Sequence, residues 1–217
     1  MDLMTRYRAM AGVKKGGGLP AGYTEVEYLR SNGNGRINTA LTLGTGFCAE
    51  VNVRIHSEQT SVFGIGGILA SGTANVTHVG LMIQQGAFRL TIAGGVLNSN
   101  FNYELNTWYN IKFGIAEGIA FIYINDVLAA STTNVGSLSD RAQDTITMFL
   151  QYNGIYGAYC DIDKCIIYEA PTTQNTMSNV AQANLIDCVR DSDNKVGVYD
   201  LNNQEFIGAT GTLYIPT

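Results

Sequence analysis

The chain has 217 residues, 46% hydrophobic and 14% charged, with 25 Gly, 3 Pro and a formal net charge of −5. That apolar content supports a core and excludes a disordered or fibrous chain, and one all-β domain of this length is ordinary. The acidic balance and the lack of a basic stripe exclude nucleic acid as a partner, and apolar runs no longer than 119–124 exclude a helical membrane span, which needs ~20 apolar residues.

The first 18 residues read as a separate arm. Arg6, Arg8, Lys14 and Lys15 face a single acid, Asp2, and Gly16-Gly17-Gly18 makes a flexible joint before the body at 19–217. Leu3, Tyr7 and Met10 fall at i, i+4 and i+7, the spacing of a short amphipathic helix that needs a partner to be stable. No apolar h-region precedes a cleavage site, so no secretory signal is read, and release is expected by cell lysis.

From residue 23 onward the pattern is β. Alternation at 49–56 sets Ala49, Val51, Val53 and Ile55 on one face and Glu50, Asn52, Arg54 and His56 on a wet one. Strands are predicted next at 62–69, 79–84 and 88–92, followed by Asn98-Ser99-Asn100-Phe101-Asn102-Tyr103, which reads as an exposed, turn-rich segment. Residues 108–116 and 119–124 join through Glu117-Gly118, and Asn125-Asp126 turns the chain into 127–130, giving a meander. The stretch 119–124 is apolar on both faces, as in the middle of a two-layer sandwich. Further strands are predicted at 145–151, 159–168, 197–200 and 211–215, and 176–186 suits either a helix or an extended connection. About a dozen short strands predict an all-β, two-sheet antiparallel jelly-roll sandwich.

Several chemistry-bearing patterns remain incomplete. Cys48, Cys160, Cys165 and Cys188 show neither C-x-x-C spacing nor accompanying histidines, which excludes a zinc site and favours buried thiols. His56 and His78 lack a nucleophile elbow and read as surface residues. Gly64-Ile65-Gly66-Gly67 has Leu69 in place of a third glycine and reads as strand glycines. Asp191-Ser192-Asp193-Asn194 imitates the start of a calcium loop, but Lys195 and Val196 occupy the next ligand and glycine positions. No cofactor and no metal site are therefore expected, with calcium the one ion left open.

Four stretches resemble a known group. Leu19-Pro20-Ala21-Gly22-Tyr23-Thr24-Glu25-Val26-Glu27-Tyr28-Leu29, with Ile37-Asn38-Thr39, is similar to the opening of laminin-G-like domains of the concanavalin A-like lectin/glucanase superfamily, common in gut bacteria and tailed phages. Asn106-Thr107-Trp108-Tyr109-Asn110-Ile111-Lys112 resembles the group's tryptophan strand, and Phe121-Ile122-Tyr123-Ile124-Asn125-Asp126-Val127 its hairpin, with Asp126 for the usual Gly. Cys165-Ile166-Ile167-Tyr168, Leu185-Ile186-Asp187-Cys188-Val189-Arg190-Asp191-Ser192-Asp193 and Val196-Gly197-Val198-Tyr199-Asp200-Leu201 resemble its closing pattern. The resemblance covers 19–217 and implies the same jelly roll, with Trp108 in the core.

The superfamily includes lectins, glucanases, adhesion modules and virion decorations, so function rests on a site. Its glucanases alternate carboxylates along one strand; here Asp161-Ile162-Asp163-Lys164-Cys165 supplies two and ends in Cys165, so both Asp read as an exposed, solvated face. Glycan binding needs an aromatic face and amide or carboxylate partners. Tyr152, Asn153 and Tyr156 in one segment and Asn98, Asn100, Asn102 and Tyr103 in another offer both. The expected function is a non-enzymatic module of a phage virion, a capsid decoration, head fibre or tail-surface protein. Leu3, Arg6, Tyr7, Arg8, Met10, Lys14 and Lys15 would dock other virion proteins, and the sandwich would face host or mucus glycans, with a homo-oligomer permitted. The alternative is a soluble or cell-surface carbohydrate-binding lectin, and a third reading is a glycoside hydrolase.

Overall fold

The structure is a computed structural model that describes residues 18–44, 46–59, 65–73, 76–92, 95–116, 118–133, 135–136, 138, 142–149, 157–170 and 180–216. Among the described residues the chain forms strands and no helix. In order they are β1 (Tyr23–Glu25), β2 (Leu29–Thr42), β3 (Phe47–Ile55), β4 (Ile65–Thr73), β5 (Val76–Gln84), β6 (Ala87–Ile92), β7 (Gly95–Asn102) and β8 (Trp108–Ala116). There follow β9 (Ile119–Ile124), β10 (Val127–Thr132), β11 (Thr145–Met148), β12 (Tyr159–Glu169), β13 (Ala181–Arg190), β14 (Lys195–Asp200), β15 (Glu205–Gly208) and β16 (Thr210–Tyr214).

The strands make two antiparallel sheets that share β2. Sheet A runs β10-β9-β8-β3-β12, where β12 passes to β13, which also pairs β1 and β14. Sheet B runs β11-β4-β5-β6-β7. The first residues of β2 pair with β12 and its last with β11, so this one long strand carries the chain from one sheet to the other. At the other end β7 and β10 lie against each other. The all-β antiparallel jelly-roll expectation holds.

Alternation builds the core. On β3, Ala49, Val51, Val53 and Ile55 are fully buried, as are Ile111 and Phe113 on β8 and Ile122 on β9. Phe88, Leu90 and Ile92 of β6 and Leu81 and Ile83 of β5 face them from sheet B. Edge-on aromatic contacts add to the core: Phe88 meets Tyr109 across the two sheets at 5.4 Å, and Phe47 meets Phe113 within sheet A at 5.6 Å between ring centroids. Two hairpins use paired left-handed residues, Gln85 and Gly86 between β5 and β6, and Asn125 and Asp126 between β9 and β10. Tight turns whose twist matches the strands require positive φ at both positions, so Asp126 serves where the resembled group has Gly.

Two sequence expectations are corrected here. Where 176–186 allowed a helix, residues from Ala181 onward are the strand β13, with β12 and β14 satisfying its backbone on both sides. Ala183 and Leu185 are buried in a period of two; Val180, which suggested a helical period, is exposed. The segment expected to be turn-rich, 98–102, is the end of β7, where Leu97 and Ser99 point inward and Asn98, Asn100 and Asn102 outward. The Ser99 hydroxyl donates to the Phe88 carbonyl at 2.7 Å, which lets a serine occupy an inward position.

Candidate functional site

The two outer faces of the sandwich differ in charge. Sheet A is densely charged and internally paired. Asp161 of β12 lies in register with Arg30 of β2 and Arg54 of β3. Arg30 donates Nε and Nη2 to its two oxygens at 2.7 and 2.9 Å, and Arg54 adds Nε at 2.8 Å. Asp161 is therefore fully buried rather than exposed, and its carboxylate holds Arg30 above the ordinary arginine range against the burial that lowers it. A register shift against β3 between Ile162 and Lys164 leaves Asp163 at the irregularity, which interrupts the carboxylate alternation.

Trp108 belongs to this cluster and not to the core. Its neighbour Tyr109 takes the inward position, 5% exposed, because β8 alternates. The Arg54 guanidinium sits 4.7 Å from the Trp108 ring and 4.8 Å from the Tyr28 ring. Further along the same face Glu50 accepts from Lys164 and Asn110 at 2.8 Å each and from Tyr168 at 3.3 Å. Burial opposes the Glu50 charge, yet the bonds from Lys164 and Asn110 outweigh it and hold the carboxyl below its ordinary value.

Sheet B is nearly free of charge. Between residues 59 and 103 the only charged residue in the sequence is Arg89. Its strands present amides, hydroxyls and small residues instead. One row across the outer face runs Val96, Thr91, Gly80, Ala70, Thr147 and Asn38, and the next runs Asn98, Arg89, Met82 and Gly67. Asn98, Asn100 and Asn102 are exposed, Arg89 and Thr91 half-buried, while Ala70 and Thr147 form a low floor with Gly80. Such a face offers both hydrogen-bond donors and acceptors at strand spacing without competing ion pairs.

The structure places the predicted glycan residues as follows. Asn98, Asn100 and Asn102 share the outer face of β7. Tyr103 turns toward the core edge instead, 5.4 Å from Phe88, and burial with the nearby Glu58 charge pushes its phenol up to about 12. Tyr152, Asn153 and Tyr156 lie outside the described residues. The residues flanking that segment are both fixed to β4: Phe149 N–H donates to the Ile68 carbonyl at 2.8 Å and Ala158 N–H to the Gly67 carbonyl at 3.0 Å. Glycine is required at 66 because a Cβ there would lie 2.8 Å from the Ala158 Cα. The arm residues Leu3, Arg6, Tyr7, Arg8, Met10, Lys14 and Lys15 also lie outside the described residues, as do Asn75 and Gly64.

Other candidates are engaged structurally. His56 is half-buried, with Nε2 3.1 Å from the Ser31 carbonyl. At the calcium-like turn Asp193 takes Arg190 Nε and Nη2 at 3.0 and 2.7 Å, and Asp191 accepts from Thr24 at 2.7 Å. No group of three or more metal-ligating side chains occurs among the described residues. None of the four cysteines forms a disulfide and all are buried. Burial pushes the Cys188 thiol up to about 12.

The residue missed in sequence is Arg89. Its signal was legible: a single cation inside a long uncharged stretch, on the polar face of the alternation Ala87-Phe88-Arg89-Leu90-Thr91-Ile92.

Neither a protein-family model nor a curated protein matches the chain. Solved structures do. A protein of Bacteroides ovatus ATCC 8483 assigned to carbohydrate binding superposes with a TM-score of 0.60 at 13% identity, over 87% of this chain and 59% of that one. The heptameric SAP-like pentraxin of Limulus polyphemus gives a TM-score of 0.55 at 13% identity, over 87% of this chain and 94% of its own. The chain thus spans 59% of the length of the Bacteroides protein and nearly all of the pentraxin. An alginate lyase is also matched, with a TM-score of 0.43 at 14% identity over 61% of this chain and 65% of its own. The expectation that the chain is not an enzyme is corrected accordingly: enzymes stand among the matched structures beside binding proteins, and the fold does not exclude catalysis. What the likenesses show is the fold, an antiparallel jelly-roll sandwich.

Proposed function

We propose that the chain is a carbohydrate-binding jelly-roll module whose ligand lies across the outer face of sheet B. One observation carries the reading: β4 to β7 present Asn98, Asn100, Asn102 and Thr91 around a low floor, with Arg89 as the only charged side chain of those strands among the described residues. Neutral hydroxyl-rich ligands are recognised by amides and hydroxyls that both donate and accept. The opposite face is less suited, because its carboxylates, guanidiniums and rings are already engaged with one another. The fold shared with a Bacteroides protein assigned to carbohydrate binding supports the same class.

This reading takes the place of the virion module expected from sequence. That placement, and the laminin-G-like type within the superfamily, rested on the arm and on the motif resemblance, and no described residue favours it.

A glycan array probed with the full chain tests the proposal. Binding to at least one glycan is expected, weakened roughly thirtyfold in an Asn98→Ala/Asn102→Ala double variant, since each lost neutral hydrogen bond is worth about 1 kcal/mol. Absence of binding to every glycan, or binding unchanged in the double variant, overturns it.

A further inference from the structure

We propose that Arg89 makes the sheet B face selective for acidic sugars, by receiving the carboxylate of a uronic acid unit through its guanidinium fork. This inference rests on the carbohydrate reading and names the substrate class within it.

Four observations carry it. Arg89 lies on β6, between β5 and β7, opposite Asn98 on one side and Met82 on the other, so it stands inside the face and not at a sheet edge. Its Nε is buried without a hydrogen-bond partner. Most guanidiniums on the other sheet are met by an acid: Arg30 and Arg54 hold Asp161, and Arg190 holds Asp193. Arg89 has none among the described residues, and β4, β5, β6, β7 and β11 contain no Asp or Glu in a chain whose acids outnumber its bases. Burial accordingly lowers its pKa with no neighbouring carboxylate to restore it, the reverse of Arg30.

A cation kept only to hold the sheet soluble extends its head into water. Here one donor is withdrawn from water and left unsatisfied, a cost that a ligand can remove. The guanidinium presents parallel N–H donors that match both oxygens of a carboxylate, and such charge-assisted pairs are roughly twice as strong as neutral ones. Asn98, directly opposite on β7, is placed to bond a hydroxyl of the same sugar. The excluded acids serve the same end, because any carboxylate beside Arg89 would compete with that of the ligand.

The test is isothermal titration calorimetry of the full chain with oligogalacturonate, oligomannuronate and oligoglucuronate, each against its carboxyl-reduced counterpart, with a sulfated galactan oligosaccharide as a further arm. At least one uronate is expected to bind about tenfold to a hundredfold tighter than its reduced twin. Arg89→Gln is expected to abolish that preference, so that uronate and reduced twin bind alike, and Arg89→Lys to restore only part of it, since a point charge lacks the fork. Equal affinity for all three pairs with neutral glycans still bound, a preference that survives Arg89→Gln, or tighter binding of the sulfated arm overturns the inference and leaves the carbohydrate reading standing. Failure to bind any glycan, charged or neutral, overturns both.

Discussion

Asp161 illustrates how a residue's chemistry is decided by neighbours far away in sequence. Its two arginines come from positions 131 and 107 residues away, and together they turn a carboxylate expected to be solvated into a fully buried one. Removing one partner of a buried charge cluster leaves the others uncompensated. Asp161→Ala is therefore expected to cost roughly 3 kcal/mol, seen as a lower urea midpoint with an unchanged denaturant slope. A midpoint within error of the parent protein contradicts that account. Tyr103 and Tyr168 give a second check, since burial raises both phenols to about 12 from the ordinary 10.0. A raised folded value means that each contribution is whole below pH 10.0 and is lost as pH rises toward about 12. Phenolate absorbance during alkaline titration should show late-ionising tyrosines, one fewer in Tyr103→Phe.

Elements follow from alternation, and the misreadings follow from its limits. The periods at 49–55 and 87–92 were legible because each apolar residue faces the core and each polar one water. Trp108 was misplaced because the motif marks a strand that contains a tryptophan, whereas the strand's phase gives the inward position to Tyr109. The Asn98 to Asn102 segment was taken for a turn from its asparagines, although Leu97, Ser99 and Phe101 alternate with them. On β9 the outward Phe121 is 1% exposed because Gly114 of β8, its partner in register, leaves room for the ring. A Cβ at 114 would lie 2.4 Å from that ring and 2.9 Å from the Cys48 Cβ on the third strand. Gly114→Ala should thus destabilise by about 1–3 kcal/mol through overpacking at the β3–β8–β9 junction. A thermal midpoint equal to the parent's shows instead that the three strands yield. Glu50 links these strands electrostatically, and its depressed folded pKa means that its contribution is present above the ordinary 4.5 and fades as pH falls through the lower folded value. Glu50→Gln should narrow the stability difference between neutral and acid conditions.

At the scale of the whole molecule, the chain separates its charges by sheet. Sheet A concentrates ion pairs and cation–π contacts that satisfy one another, while sheet B is left neutral apart from Arg89. The fold class was legible from strand count and turns alone, and so were the exposed asparagines of β7. What escaped the sequence was which strands share an outer face, because that depends on sheet order: β4 to β7 are consecutive, but β11 and β2 join them from distant parts of the chain. Only that order continues the row of Thr91, Gly80 and Ala70, which runs beside Arg89, through Thr147 to Asn38 on the same face. The central claim is that ligand lies on this face, and backbone amide shifts recorded while the tightest glycan of the array is titrated into the full chain test it most directly. The account predicts that the shifts gather on β5, β6 and β7, with Arg89, Thr91 and Asn98 among the largest. Shifts gathered on β3, β8 and β12 around Trp108 and Asp161 would contradict it.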